Sequence, residues 1–136
     1  MPYTISKTTN PLKINEQEYA SGSEIKFTAF TSCIGVIAKK GTELTAVHLV
    51  IVAKDGSIFC ANDVPAVVNL LPKTPDAVTI FGCIDVWNNP ANGKELHEAF
   101  QKLTAELKTS KKYQQHEKDL GTYGAKIDGD DIKITF

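Results

Sequence analysis

Two apolar runs separated by a turn constrain this chain more than any other feature. Cys33 to Ala38 is short. Leu44 to Ala53 is longer and rich in valine and isoleucine. Lys40-Gly41 lies between them and reads as a tight turn, so the two runs are expected to pair as an antiparallel hairpin. Ile25 to Thr31 alternates apolar and polar residues just upstream, as a strand with one buried face does. Asp55-Gly56 makes the next turn, and Ser57 to Cys60 suits a further short strand.

Downstream the pattern mixes helices with strands. Asn62 or Asp63 can cap a helix with Pro65 in its first turn, ended near Leu71 by Pro72 and Pro75. Ala77 to Trp87 reads as a buried strand with Gly82 as a bulge position. Leu96, Ala99, Phe100, Leu103 and Leu107 recur every three or four residues and predict a helix from Lys94 to about Lys108. Residues 113–120 suit one more helical turn, stopped by Gly121. The tail from Gly124 to Phe136 predicts a hairpin about Asp128-Gly129. Residues 1–23 are polar and contain Pro2 and Pro11, which suggests an irregular or partly ordered arm with room for one short strand. The expected fold class is α+β: one domain over residues 1–136, a mostly antiparallel, sandwich-like sheet with two main helices packed against it.

Composition narrows function by exclusion. The 136 residues carry 15 basic and 16 acidic side chains, a net charge of −1, so no field attracts nucleic acid. Three cysteines, Cys33, Cys60 and Cys83, make a poor disulfide framework and read as reduced thiols. No CxxC pair is present, and His48, His97 and His116 lack zinc-ligand spacing with the thiols, so no zinc site is expected. The N-terminal stretch lacks an apolar signal core, and the run near Leu49 to Ala53 is too short to span a membrane. A cytoplasmic protein, or one delivered into another cell, is the expectation. Its partner would be a protein, not nucleic acid or membrane.

The chemistry-bearing pair is Cys33 and His48. With Lys40 and Gly41 as a two-residue loop, these two residues lie directly opposite on one face, their Cβ atoms roughly 4.5–5.5 Å apart. At that distance an imidazole can take the thiol proton, and the thiolate can attack a carbonyl carbon. A three-residue loop with Gly41 as a bulge residue would shift the register by one and send the pair to opposite faces. The alternative for Cys33 is a small buried hydrophobe. Cys60 and Cys83 have no opposed histidine and read as core thiols, while His97 and His116 read as solvated.

The stretch FTAFTSCIGVIAKKGTELTAVHLVIV resembles the cysteine–histidine glutamine deamidases, the superfamily of the bacterial chemoreceptor glutamine deamidases and the catalytic domains of cytotoxic necrotizing factor toxins. Thr31-Ser32-Cys33 is similar to the small-residue start of their cysteine strand, and Ala46-Val47-His48 to their histidine strand. The resemblance covers about residues 25–56. It implies a hydrolase in which Cys33 is the catalytic nucleophile on a glutamine side chain and His48 is the general base and later acid, with no metal or organic cofactor needed. It also implies a third group orienting the histidine, either a threonine side chain or a backbone carbonyl; Thr28 and Thr31 lie nearby. This reading expects an accessible Cys33 with a lowered pKa, within hydrogen-bond reach of His48. The competing reading is a non-catalytic protein-interaction module with a buried, structural Cys33, an exposed apolar patch elsewhere, and Trp87 as a candidate contact, the alternative for Trp87 being a core tryptophan at the end of a strand. A papain-like peptidase is a third reading, for which Asp55 and Asp85 are the available partners.

Overall fold

The chain was analysed as a computed structural model, which describes residues 3–136; Met1 and Pro2, at the start of the expected arm, lie outside them. The strands are β1 (Ser6–Lys7), β2 (Glu18–Gly22), β3 (Glu24–Lys26), β4 (Ile34–Lys40), β5 (Glu43–Leu49), β6 (Ala77–Gly82), β7 (Tyr113–Glu117), β8 (Gly124–Asp128) and β9 (Asp131–Thr135). The helices are α1 (Val64–Leu70), the single turn α2 (Ile84–Trp87) and α3 (Lys94–Leu107). A main sheet runs β1-β2-β5-β4-β6-β7 and a second sheet runs β3-β8-β9. The pairs β1–β2 and β6–β7 are parallel and the rest antiparallel. The α+β class with two main helices is therefore the observed one.

The central strands β4 and β6 are buried along nearly their whole length, so both faces of the main sheet are covered. The second sheet covers one face, where Phe27, Phe30, Phe81 and Tyr123 form a chain of ring contacts 5.4–5.8 Å apart. The helices are left to cover the other. Helix α3 buries Leu96, Ala99, Phe100, Leu103 and Leu107, the stripe read from its periodicity. Each such side chain contributes about 1.5–3 kcal/mol when fully buried.

Several expectations need correction: the strand read over Ala77 to Trp87 ends at Gly82, and Ile84–Trp87 is a helical turn. The N-terminal stretch is not merely an arm: it supplies β1 and β2 to the main sheet. Ile25 to Thr31 forms only the short β3 as a regular strand; beyond Lys26 the pairing continues as isolated bridges, Phe27 with Ile14 and Phe30 with Gly121. Ser57 to Cys60 contributes a single bridge between Ile58 and Val52. Residues 113–117 are a strand rather than a helical turn. The buried strand β6 has a second edge to satisfy, and β7 pairs along it in parallel, which outweighs weak local preference.

Both hairpin turns sit one residue later than expected. Lys40 pairs with Glu43 and Asp128 with Asp131, so the loops are Gly41-Thr42 and Gly129-Asp130. Each glycine has φ +62°, while neither Thr42 nor Asp130 has positive φ. Glycine at the first loop position is the pattern of a type II′ turn, not of the Asn-Gly type I′ turn.

Candidate active site

His48 sits near the end of β5 and is fully buried. Its ring lies among the aromatics between the two sheets, 4.9 Å from the Phe30 centroid and 5.3 Å from that of Phe27. Nδ1 is 2.9 Å from the carbonyl oxygen of Ile14. A carbonyl only accepts, so Nδ1 carries the proton and Nε2 is the bare nitrogen of the neutral ring. Nε2 is buried and has no hydrogen-bond partner among the described residues. Burial pushes the His48 pKa down, opposed by the Ile14 carbonyl and by the charges of Glu16 and Glu18.

The Ile14 carbonyl is itself fixed. It also accepts the backbone N–H of Thr28 at 3.0 Å and, at 3.4 Å, the Thr28 hydroxyl. The Ile14 N–H donates to the Lys26 carbonyl at 2.9 Å. Thr28 therefore supports the orienting group rather than touching the histidine. The orienting group is a backbone acceptor from the N-terminal stretch, a residue type no motif search would select.

Cys33 lies immediately before β4 and is 1% exposed. Its carbonyl accepts the Cys83 N–H at 3.0 Å, extending the β4–β6 ladder by one bond. The turn from β6 into α2 brings Trp87 into the core, where its indole N–H donates to the Ser32 carbonyl at 2.8 Å. Trp87 is therefore a buried anchor for the approach to Cys33, not a surface contact. Gly82 permits this close packing. Its φ is +127°, and a Cβ there would lie 2.4 Å from the Cys33 carbonyl oxygen. Burial raises the Cys33 pKa, partly offset by hydrogen bonding to the backbone at Thr31 and Ser32; the charge of Glu16 adds to the rise.

The directly opposed Cys33–His48 pair is corrected by the observed register. Gly35 faces His48, Val36 faces Val47, and Cys33 lies two residues before Gly35, just ahead of the first paired residue, Ile34. The slip is an even one, so it does not carry Cys33 to the far side as a one-residue slip would. A diagonal relation of this kind spans about 7–8 Å in a regular ladder. No hydrogen bond joins the thiol to the imidazole. The expected accessible, low-pKa thiol is replaced by a buried one with a raised pKa, and His48 is a buried neutral imidazole opposite Gly35.

The other sequence candidates are scattered. Cys83 is 7% exposed, and its thiol lies 3.8 Å from the Thr31 carbonyl. Cys60 is only half-buried, and its thiol is 3.3 Å from an Asp63 carboxylate oxygen. His97 is half-buried, not solvated, and its Nδ1 has no hydrogen-bond partner among the described residues. His116 is exposed on β7. All three cysteines are free thiols. Among the described residues, no three His, Cys, Asp or Glu side chains gather as ligands for a metal ion. None of their helices is long and apolar enough to cross a membrane.

No protein-family model and no curated protein matches the chain.

Proposed function

We propose that the protein is a thiol amidohydrolase acting on a glutamine side chain of a protein substrate, with Cys33 as nucleophile and His48 as general base and acid, and that this structure is its closed state. The half-satisfied histidine carries the reading. Leaving a buried basic nitrogen without a partner is costly, and such groups in native proteins call for an explanation. Here one nitrogen is pinned by the Ile14 carbonyl and the other is bare, and Cys33 lies two residues before Gly35, the residue opposite His48. A general base needs that division of labour.

The reaction follows directly. Nε2 takes the thiol proton of Cys33, and the sulfur attacks the carboxamide carbon. The backbone N–H groups at Thr31 and Ser32 are the available donors to the developing oxyanion. The amide nitrogen takes the proton from His48 and leaves as ammonia, forming a thioester. Water, deprotonated by His48, attacks the thioester, and the products are a glutamate side chain and free Cys33 thiol. Because both residues are buried, substrate must open the site, and the shared sheet position brings sulfur and imidazole together on that opening.

Burial also favours a second reading. A closed Cys33 is what a non-catalytic interaction module predicts, and the bridged pair Val52 and Ile58 exposes apolar surface at 55% and 49%. Ammonia release from glutamine-containing proteins and peptides separates the two. The wild type should release ammonia; Cys33→Ala and His48→Gln should not, with their folds verified by circular dichroism. Release that survives in Cys33→Ala defeats the amidohydrolase reading. Absence of release across a broad protein panel, with Val52→Asp abolishing a partner complex, favours the module.

A further inference from the structure

The β4–β6 ladder sets two thiols opposite each other. Its register pairs Gly35 with Phe81 and Ile34 with Gly82, and the next step of the same register pairs Cys33 with Cys83. That step is made: the Cys83 N–H donates to the Cys33 carbonyl at 3.0 Å. Directly opposed residues of an antiparallel ladder project from the same face, and a hydrogen-bonded pair has its Cα atoms about 5.5 Å apart. A disulfide needs Cα atoms about 4.4–6.8 Å apart, so the backbone already has the spacing of a bridge.

The side chains agree with the backbone. The Cys83 sulfur lies 3.8 Å from the Thr31 carbonyl. The Cys33 thiol is hydrogen-bonded by the backbone at Thr31 and Ser32. Both sulfurs therefore border the same short stretch of chain. Gly82 keeps the gap clear, since a Cβ there would lie 2.4 Å from the Cys33 carbonyl oxygen. Neither contact of the Cys83 sulfur, to the Thr31 carbonyl or at 3.9 Å to that of Lys118, is short enough to hold it. Cys60 is placed elsewhere, its thiol 3.3 Å from an Asp63 carboxylate oxygen. Burial raises the pKa of both Cys33 and Cys83, so the pair rests as protonated thiols.

We propose that Cys33 and Cys83 form a reversible disulfide when the protein meets a small-molecule disulfide such as oxidised glutathione. Cys83 is the more exposed of the two, at 7% against 1%, and reacts first. Its thiolate attacks one glutathione sulfur, forming a mixed disulfide and releasing one glutathione thiolate, which takes up the proton that Cys83 lost. The Cys33 thiolate then attacks the Cys83 sulfur and releases the second glutathione, which takes up the Cys33 proton. Two protein thiols are oxidised, and one disulfide is reduced to two thiols. The linkage stands whether or not the protein is an amidohydrolase. On that reading it also removes the nucleophilic sulfur, so oxidation switches the enzyme off.

The test is equilibration of the full chain in a series of glutathione redox buffers, then acid quenching and peptide mapping without reductant. A cross-linked peptide pair joining Cys33 to Cys83 is expected in the native protein and is lost on adding dithiothreitol. Cys60→Ser should keep this linkage, and Cys83→Ser should abolish it. In denaturing urea, linkages to Cys60 should appear, because Cys60 lies between the other two in sequence and closes shorter loops. Ammonia release is a separate readout: oxidation should abolish it in the wild type, dithiothreitol should restore it, and Cys83→Ser should keep it throughout. A linkage without any ammonia release supports the thiol pair while defeating the amidohydrolase reading. Native Cys33 and Cys83 that stay reduced in the most oxidising buffer, a mixed disulfide at Cys83 that Cys33 never resolves, or a native linkage to Cys60 overturns the proposal.

Discussion

Gly35 faces His48 across β4 and β5, and a Cβ built on Gly35 would lie 2.9 Å from Cε2 of Phe27 and 3.0 Å from Cε1 of Phe81. The contacts are ring atoms buried between two sheets, with little freedom to yield. The missing side chain is what lets the aromatic cluster close over the histidine. Gly35→Ala is expected to destabilise the fold by about 1–3 kcal/mol, the usual cost of overpacking. Urea unfolding should show a lower midpoint with an unchanged slope. An unchanged midpoint would mean that the rings move aside easily.

The Tyr3 hydroxyl both donates to the Val50 carbonyl and accepts the Val50 N–H, each at 2.8 Å. It stands where β2 would pair next, had the chain not turned away at Gln17 with φ +61°. Tyr3→Phe keeps the edge contact with Phe59 but leaves both backbone groups of a buried residue unpaired. The expected loss is about 1–3 kcal/mol. Amide exchange at Val50 should accelerate by a matching factor, whereas exchange at Ile37 in the sheet centre should follow only the global change.

How far these features were readable depends on the kind of atom involved. The β4–β5 hairpin, α3 and the tail hairpin were legible because burial periodicity is a side-chain property. Both turns fall one residue later than an X-Gly loop predicts for a single reason: glycine occupies the first loop position in each, not the second. The even size of the resulting shift kept Cys33 in view of His48 but removed direct opposition. The Ile14 carbonyl was invisible because every residue has one, and only the fold decides which carbonyl meets an imidazole. β7 was missed because its pattern is polar, and its place is set by the open edge of β6.

The neutral, buried His48 makes stability depend on pH. Its folded-state pKa lies below the ordinary value of 6.5. As pH falls below that value, the unfolded chain binds a proton that the folded chain refuses, so stability falls. The loss continues until pH passes below the depressed folded-state value, then levels off. Free energies of unfolding measured between about pH 7.5 and pH 5 should decline in the wild type, with a shallower decline in His48→Gln. Equal slopes in the two proteins would assign the dependence to other groups.

Thiol reactivity tests whether the closed arrangement is the resting state in solution. Cys33 is 1% exposed and Cys83 7%, whereas Cys60 is only half-buried. Burial also pushes the Cys33 pKa up, lowering the fraction present as the reactive thiolate. Iodoacetamide at neutral pH should therefore modify Cys60 first, and Cys33 at least about tenfold more slowly, because alkylation must wait for an opening. In denaturing urea the three rates should converge, since burial no longer separates them. Peptide mass mapping of a time course gives the order. Equal native rates for Cys33 and Cys60 would show that the site opens freely without substrate, and the amidohydrolase reading would then no longer require substrate-driven opening.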